Sequence, residues 1–190
     1  SVRMYNILGI SNAFVIPNGV NIQVFNSIDK RFCQKKLGWD HNKKHILFPA
    51  DKSRREKNFK LAKKVFSILN NKNIELHSLI DVSPKLMPLW MNSADVVLLV
   101  SLKEGSPNVI KEAMACNIPI VSTDVGDVKE VIANTKNCYL TSYDPKEIAV
   151  KINKVLDFDK RTNGRENIKY LESGFIAKKI INIYLNTIEK

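Results

Sequence analysis

The stretch VVLLVSLKEGSPNVIKEAMACNIPIVSTDVGD, Val96 to Asp127, constrains the fold more than any other part of the chain. Its five opening aliphatic residues, Val96 to Val100, form a strand that is apolar on both faces, which requires a packed layer on each side. A polar loop follows from Ser101 to Ser106. Pro107 then suits the first turn of a helix, because its φ is already near the helical value and it has no N–H to leave unpaired. The helix carries Val109, Ile110, Ala113 and Met114 on one side and stops near Asn117. Ile120 to Thr123 is the next strand. Strand, helix and strand in so short a span make a βαβ crossover, whose loop lies at the carboxyl end of a strand, where open α/β sheets hold their ligands. Glu104 and Glu112 stand eight positions apart across the loop–helix junction. Neither is needed to fold the unit.

The alternation continues along the chain. Ala13 to Ile16 reads as a strand, and Ser27 or Asp29 can cap a helix from Phe32 to Leu37 that Gly38 ends. His45 to Pro49 and Ile74 to Leu79 read as strands around a helix from Asn58 to Leu69. Ser83 and Pro84 read as N-cap and first residue of a helix through Met91. Val128 to Ile132 is a short helix and Cys138 to Thr141 the last strand. Asp144, Pro145 and Glu147 predict a capped helix to about Leu156. Helical pieces over Glu166–Leu171 and Phe175–Ile188 follow, with Gly164 and Gly174 as breaks. The expected fold is α/β, a doubly wound, mostly parallel, Rossmann-like sheet of about six strands in one domain over residues 1–190.

The net charge of +11 and pI near 9.6 favour anionic partners: nucleotide phosphates, nucleic acid or an anionic membrane face. Lysine-rich solvated helix faces are the plainer explanation. No basic stripe with interleaved aromatics supports nucleic-acid binding. The cysteines, Cys33, Cys116 and Cys138, are odd in number and lack ligand spacing, which points to reduced thiols and a reducing compartment. No apolar run approaches the ~20 residues of a membrane-spanning helix, so the expected location is cytoplasmic, with peripheral docking on an anionic inner membrane face. His41, His45 and His77 show no metal or catalytic spacing, and no D-x-D metal motif appears in a loop, so neither metal nor cofactor is expected. Trp39 and Trp90 read as packing residues.

At the loop–helix junction, Ser106 can cap the helix, and the free N–H groups of the first turn form a site for phosphate or sugar oxygens. Gly105 permits close approach of a ligand to the backbone. Asn108 and Glu112 share a face, and a carboxylate one turn into the helix can accept both hydrogen bonds of a vicinal diol such as a ribose. On spacing alone, Glu104 and Glu112 could equally be acids that stabilise a helix N-terminus by ~0.3–1 kcal/mol. The polar loop Asp51 to Lys57 reads, on its residues, as a solvated charge run or as a Ser53-x-x-Glu56 capping box.

The run from Glu104 to Gly126 resembles the E-x7-E signature of retaining GT-B glycosyltransferases, glycosyltransferase family 4 (glycosyl transferases group 1), whose pattern reads roughly EGxPNVxxEAMAxGxPVVxTxxGG. Val15 to Asn21 is similar to that family's IPNGVD segment. His45 to Lys57 resembles its first donor-domain strand and basic loop, and Ser93 to Val96 its ADV strand start. The resemblance implies roles. Glu112 would hold the nucleotide ribose. Glu104 would contact the donor sugar near the reacting carbon. Backbone groups of Gly105, Ser106, Pro107, Asn108 and Val109 would meet sugar hydroxyls and diphosphate. Lys57, with Lys52 or its rivals Arg54 and Arg55, would neutralise the leaving diphosphate. Glu104 and Lys57 are thus the expected catalytic residues, and a nucleotide-diphosphate sugar the substrate.

Two positions depart from the pattern. Asp127 replaces the second glycine of the last motif and puts an acid near the site. Asn117 replaces the glycine at the helix end, where it also tolerates the left-handed conformation. The opening SVRMYNILGIS reads like the tail of a helix leading into a strand. The expected whole is therefore the donor-binding half of a two-domain enzyme that moves a sugar to a glycan or lipid-linked acceptor. Its acceptor domain would precede this chain, and the isolated chain would be inactive. The alternatives are a non-catalytic sugar-nucleotide-binding module, or half of a nucleotide-sugar epimerase; epimerases lack this helix.

Overall fold

The computed structural model describes residues 14–188. Its elements run α1 Lys30–Leu37, β1 Lys44–Phe48, α2 Phe59–Leu69, β2 Ile74–Ser78, α3 Met87–Ser93, β3 Val96–Leu99, α4 Asn108–Ala115, β4 Ile120–Thr123, α5 Val128–Ile132, β5 Cys138–Thr141, α6 Pro145–Phe158, α7 Gly164–Asn167 and α8 Ser173–Ile188. The strands form one parallel sheet in the order β2-β1-β3-β4-β5. From β1 the chain winds outward to β2, then returns to β3 and winds the other way. The crevice between the carboxyl ends of β1 and β3 is the topological switch point of a doubly wound sheet.

Two apolar layers explain the unbroken hydrophobic strands. Leu47, Val97, Leu99 and Ile120 pack beneath α3, α4 and α5, and Ile46, Phe48, Leu98 and Val121 beneath α2 and α6. Local signals set the helix ends. The Asp29 carboxylate accepts from the Phe32 N–H, and Gly38 at φ 69° ends α1. The end of α4 is a left-handed turn with Asn117 at φ 58°; the Asn117 N–H donates to the Met114 carbonyl and the Ile118 N–H to that of Ala113. Those paired bonds satisfy carbonyls that a helix end otherwise leaves open.

Several expectations need correction. The described part of the expected first strand, Phe14 to Ile16, pairs with nothing in the sheet, and Phe14 is 71% exposed; Ala13 lies outside the described residues. The sheet therefore has five strands among the described residues. Just after it, Val20 forms an isolated bridge with Glu172. Ser83 makes no capping bond, and a 3-10 turn, Pro84–Leu86, precedes α3. Glu147 reaches the Ser142 N–H and hydroxyl rather than the N–H of Asp144. Gly164 and Gly174 are helical rather than breaks. Gly164 is required by packing: a Cβ there would lie 2.8 Å from the Met114 carbonyl oxygen.

Candidate functional site

The loops after β1 and β3 meet at the switch point. Lys57 and Glu104 form an ion pair across it, Nζ to Oε1 at 2.5 Å, with both side chains largely shielded from solvent. The Leu102 N–H donates to the Glu56 carbonyl at 2.9 Å and ties the loops together. The Ser101 carbonyl, where the β3 loop starts, accepts from the Tyr143 and Thr123 hydroxyls. A third loop presses from behind. Gly126 has φ 61°, and a Cβ on it would lie 2.4 Å from the Gly105 carbonyl oxygen. Its glycine is what lets the loop after β4 back the Glu104–Gly105 segment. Around Gly105 itself the Cβ direction is open, in keeping with the expected approach of a ligand.

The start of α4 differs from expectation in detail. Pro107 is the N-cap, with extended backbone and no side-chain capping bond, and Asn108 is the first helical residue. Pro107 has no N–H to offer, and the Ile110 N–H already reaches the Pro107 carbonyl. The first-turn donors lacking an intrahelical partner are therefore those of Asn108 and Val109. The Ser106 hydroxyl, expected as the cap, is engaged elsewhere. It donates to Asp127 Oδ2 at 2.6 Å and accepts from Lys111 Nζ at 2.7 Å. Lys111 Nζ also reaches Asp127 Oδ2 at 3.1 Å, and the lysine side chain is fully buried. Asn18 closes the group, its side-chain amide donating to the Ser106 carbonyl at 3.1 Å. Burial lowers the Lys111 pKa, while Asp127 acts against that shift. The acid at position 127 is thus neutralised from within the protein. Lys111 was missed by sequence reasoning; its signal was a lysine among the buried positions of α4 together with an acid replacing glycine at 127.

Glu112 stands apart from this network. Among the described residues its carboxylate has no ion pair, and burial alone pushes its pKa from 4.5 up to about 7. A half-buried carboxylate lacking a donor carries part of that desolvation cost. A ligand that supplied two hydroxyl donors would relieve that cost.

The basic loop is partly committed. Arg54 pairs with Glu56 at 2.6 Å on the exposed outer side. Ser53 donates its N–H to Asp51, so no capping box forms, and a 3-10 turn over Arg55–Lys57 leads to Asn58 at φ 60°. Lys52, Arg54 and Arg55 line a surface cavity of about 440 Å³ together with Asn58, Phe59 and Leu102. Neither Glu104 nor Glu112 lines it. The structure thus brings Lys57 to Glu104 but leaves Lys52, Arg54 and Arg55 outside that pair.

The tryptophans are packing residues, as expected: Trp39 stacks on His77 with ring centres 3.6 Å apart, and Trp90 meets Trp39 edge-on. The histidines are less scattered than their spacing suggested. The register of β1 on β2 sets His45 opposite Glu75, and Glu75 and His77 fall on the same strand face.

A family model described as Glycosyl transferases group 1 matches residues 42–157, which span β1 to most of α6 and include Lys57, Glu104, Lys111, Glu112 and Asp127. The chain belongs to this family. Among curated relatives, the D-inositol 3-phosphate glycosyltransferase of Arthrobacter sp. (strain FB24) is 30% identical over 149 residues, 62% of this chain and 35% of that protein. Sucrose-phosphate synthase from Thermosynechococcus elongatus superposes with TM-score 0.83 at 18% identity, over 99% of this chain and 56% of that one. An Anabaena protein solved in complex with UDP and glucose gives TM-score 0.68 at 18% identity, over 90% of this chain and 56% of that one. These structural likenesses establish the fold as the Rossmann-like half of GT-B. The chain spans about a third of the length of the curated relatives it matches. Among the described residues no helix is long and apolar enough to cross a membrane. Within the family's pattern, the Gly126–Asp127 departure is accommodated by Lys111.

Proposed function

We propose that this chain is the nucleotide-sugar-binding part of a retaining glycosyltransferase, which moves a sugar from a nucleotide-diphosphate donor to a glycan or lipid-linked acceptor. The observation that carries this reading is the joint placement, at one switch-point crevice, of the Lys57–Glu104 pair and an α4 N-terminus one turn from an unpaired Glu112. Glu112 accepts hydrogen bonds from the ribose hydroxyls. The N–H groups of Asn108 and Val109, with the positive helix end, receive diphosphate or sugar oxygens. Lys57 faces charge as it develops on the leaving diphosphate, an electrostatic contribution that grows toward the transition state. Lys52 is the better partner for it than Arg54, whose guanidinium is occupied by Glu56. In the free chain Lys57 holds Glu104 in place; once it turns to the diphosphate, Glu104 is free to meet a donor-sugar hydroxyl. The acceptor is positioned by the rest of the protein, and the chain alone transfers little or nothing.

Calorimetric titration with UDP, GDP and ADP tests this. One of them should bind to the parent chain, and Glu112→Ala should weaken that binding at least tenfold. Binding by none, or binding that Glu112→Ala leaves unchanged, removes the site.

A further inference from the structure

At the β1–β2 edge of the sheet, three side chains bring ligand atoms close together. His45 Nδ1 lies 2.9 Å from His77 Nε2, and Glu75 Oε2 lies 3.6 Å from each of those nitrogens. A triangle with those sides has its centre about 2.0 Å from every corner, the bond length of a zinc-type ion to nitrogen and carboxylate oxygen. We propose that His45, His77 and Glu75 form a binding site for a divalent transition-metal ion of zinc type.

The surrounding groups fit that role. His45 Nε2 is 2.9 Å from the Asp40 carbonyl oxygen, which can only accept, so Nε2 carries the proton and Nδ1 presents its lone pair. A backbone carbonyl on the far ring nitrogen is how metal-binding imidazoles are oriented and made more basic. Lys43 Nζ holds Glu75 Oε1 at 2.7 Å, which keeps Oε2 toward the rings. Trp39 stacked on the His77 ring limits its rotation. In the metal-free chain His77 Nε2 donates to His45 Nδ1. Metal binding moves that proton to His77 Nδ1, so the ring stays neutral. A small rotation of each ring then points both lone pairs at the ion. Glu75 is a third exposed, which gives the ion a way in and leaves a fourth position for water. Two nitrogens and one carboxylate oxygen suit zinc, nickel or cobalt rather than magnesium or calcium, which favour all-oxygen sets. The ion would clamp the edge strand to its neighbour, independently of the donor-binding crevice.

The test is Zn²⁺ titrated into the 190-residue chain in competition with a chromophoric chelator, with tryptophan emission recorded in parallel. The chain's only two tryptophans, Trp39 and Trp90, sit against this cluster. One equivalent should bind and alter the emission. His77→Ala and Glu75→Gln should each weaken binding at least tenfold, while Cys138→Ser should leave it unchanged. Should His77→Ala fail to fold by circular dichroism, Glu75→Gln carries the comparison, since its carboxylate is partly solvated. Absence of saturable binding, equal binding by parent and Glu75→Gln, or loss of binding in Cys138→Ser would overturn the proposal.

Discussion

Replacing Glu112 by glutamine should stabilise the free chain and weaken its hold on nucleotide, and the two effects have one cause. In the folded chain burial moves the Glu112 pKa from 4.5 to about 7. Below pH 4.5 the carboxyl is protonated in both folded and unfolded chains, and no penalty arises. As pH rises, the unfolded chain loses its proton first, so stability falls through this window and levels off above about pH 7. At about 1.4 kcal/mol per pKa unit the full penalty is about 3 kcal/mol. Since the side chain is not wholly enclosed, about 2–3 kcal/mol is the expectation at pH 8. Glutamine keeps the shape and removes the charge. Glu112→Gln should therefore gain that amount in denaturant unfolding at pH 8, a rise in Tm of roughly 4–12 °C, and gain almost nothing at pH 4.5. Nucleoside diphosphate binding to the parent should tighten between pH 5.5 and 8 as the acceptor ionises, and Glu112→Gln should lose that dependence along with at least tenfold in affinity. An equal effect on stability at both pH values, or a loss of stability at pH 8, would refute an ionisation penalty at Glu112.

Other perturbations separate the remaining parts of the account. Gly126→Ala places a Cβ against the Gly105 carbonyl at positive φ, so it should cost at least about 2 kcal/mol; denaturant unfolding gives the cost, and unchanged stability would deny the close approach. Lys111→Met leaves the Asp127 carboxylate without its cation and should cost about 2–4 kcal/mol, whereas Lys111→Met with Asp127→Gly should recover to within about 1 kcal/mol of the parent. Additive losses in that cycle would deny the pairing. Arg165 donates to the carbonyls of Ile22, Phe25 and Ala115, joining the 20–25 segment to the end of α4. Arg165→Ala should cost about 2–4 kcal/mol in the same assay; a cost below 0.5 kcal/mol would contradict that role.

How much of this could be read from the chain depends on the range over which each feature is decided. The β3–α4–β4 unit was legible because its apolar phase, Pro107 and the Asn117 helix end all act within a few residues. Asp29 and Gly38 were legible for the same reason. What escaped was decided between distant segments. Ser106 has the chemistry of a cap, but Lys111 and Asp127 compete for its hydroxyl and win. Gly164 looked like a break because nothing local shows that Met114 lies against it. Glu75 and His77 share a face of β2, but only the parallel pairing of β1 with β2 brings His45 to them. Phe14 to Ile16 has strand composition but pairs with no strand among the described residues. For the candidate site, the family resemblance assigned Glu104 and Glu112 separate duties that spacing could not. The Lys57–Glu104 contact, which joins the two loops, became visible only in the fold.

The most direct test is a crystal structure of this chain with whichever of UDP, GDP and ADP binds most tightly. The account predicts the ribose hydroxyls on the Glu112 carboxylate at about 2.7–3.2 Å, phosphate oxygens on the Asn108 and Val109 N–H groups, and Lys57 Nζ turned from Glu104 to the diphosphate. A nucleotide bound away from the β1–β3 crevice, or bound there with Glu112 untouched, would contradict it.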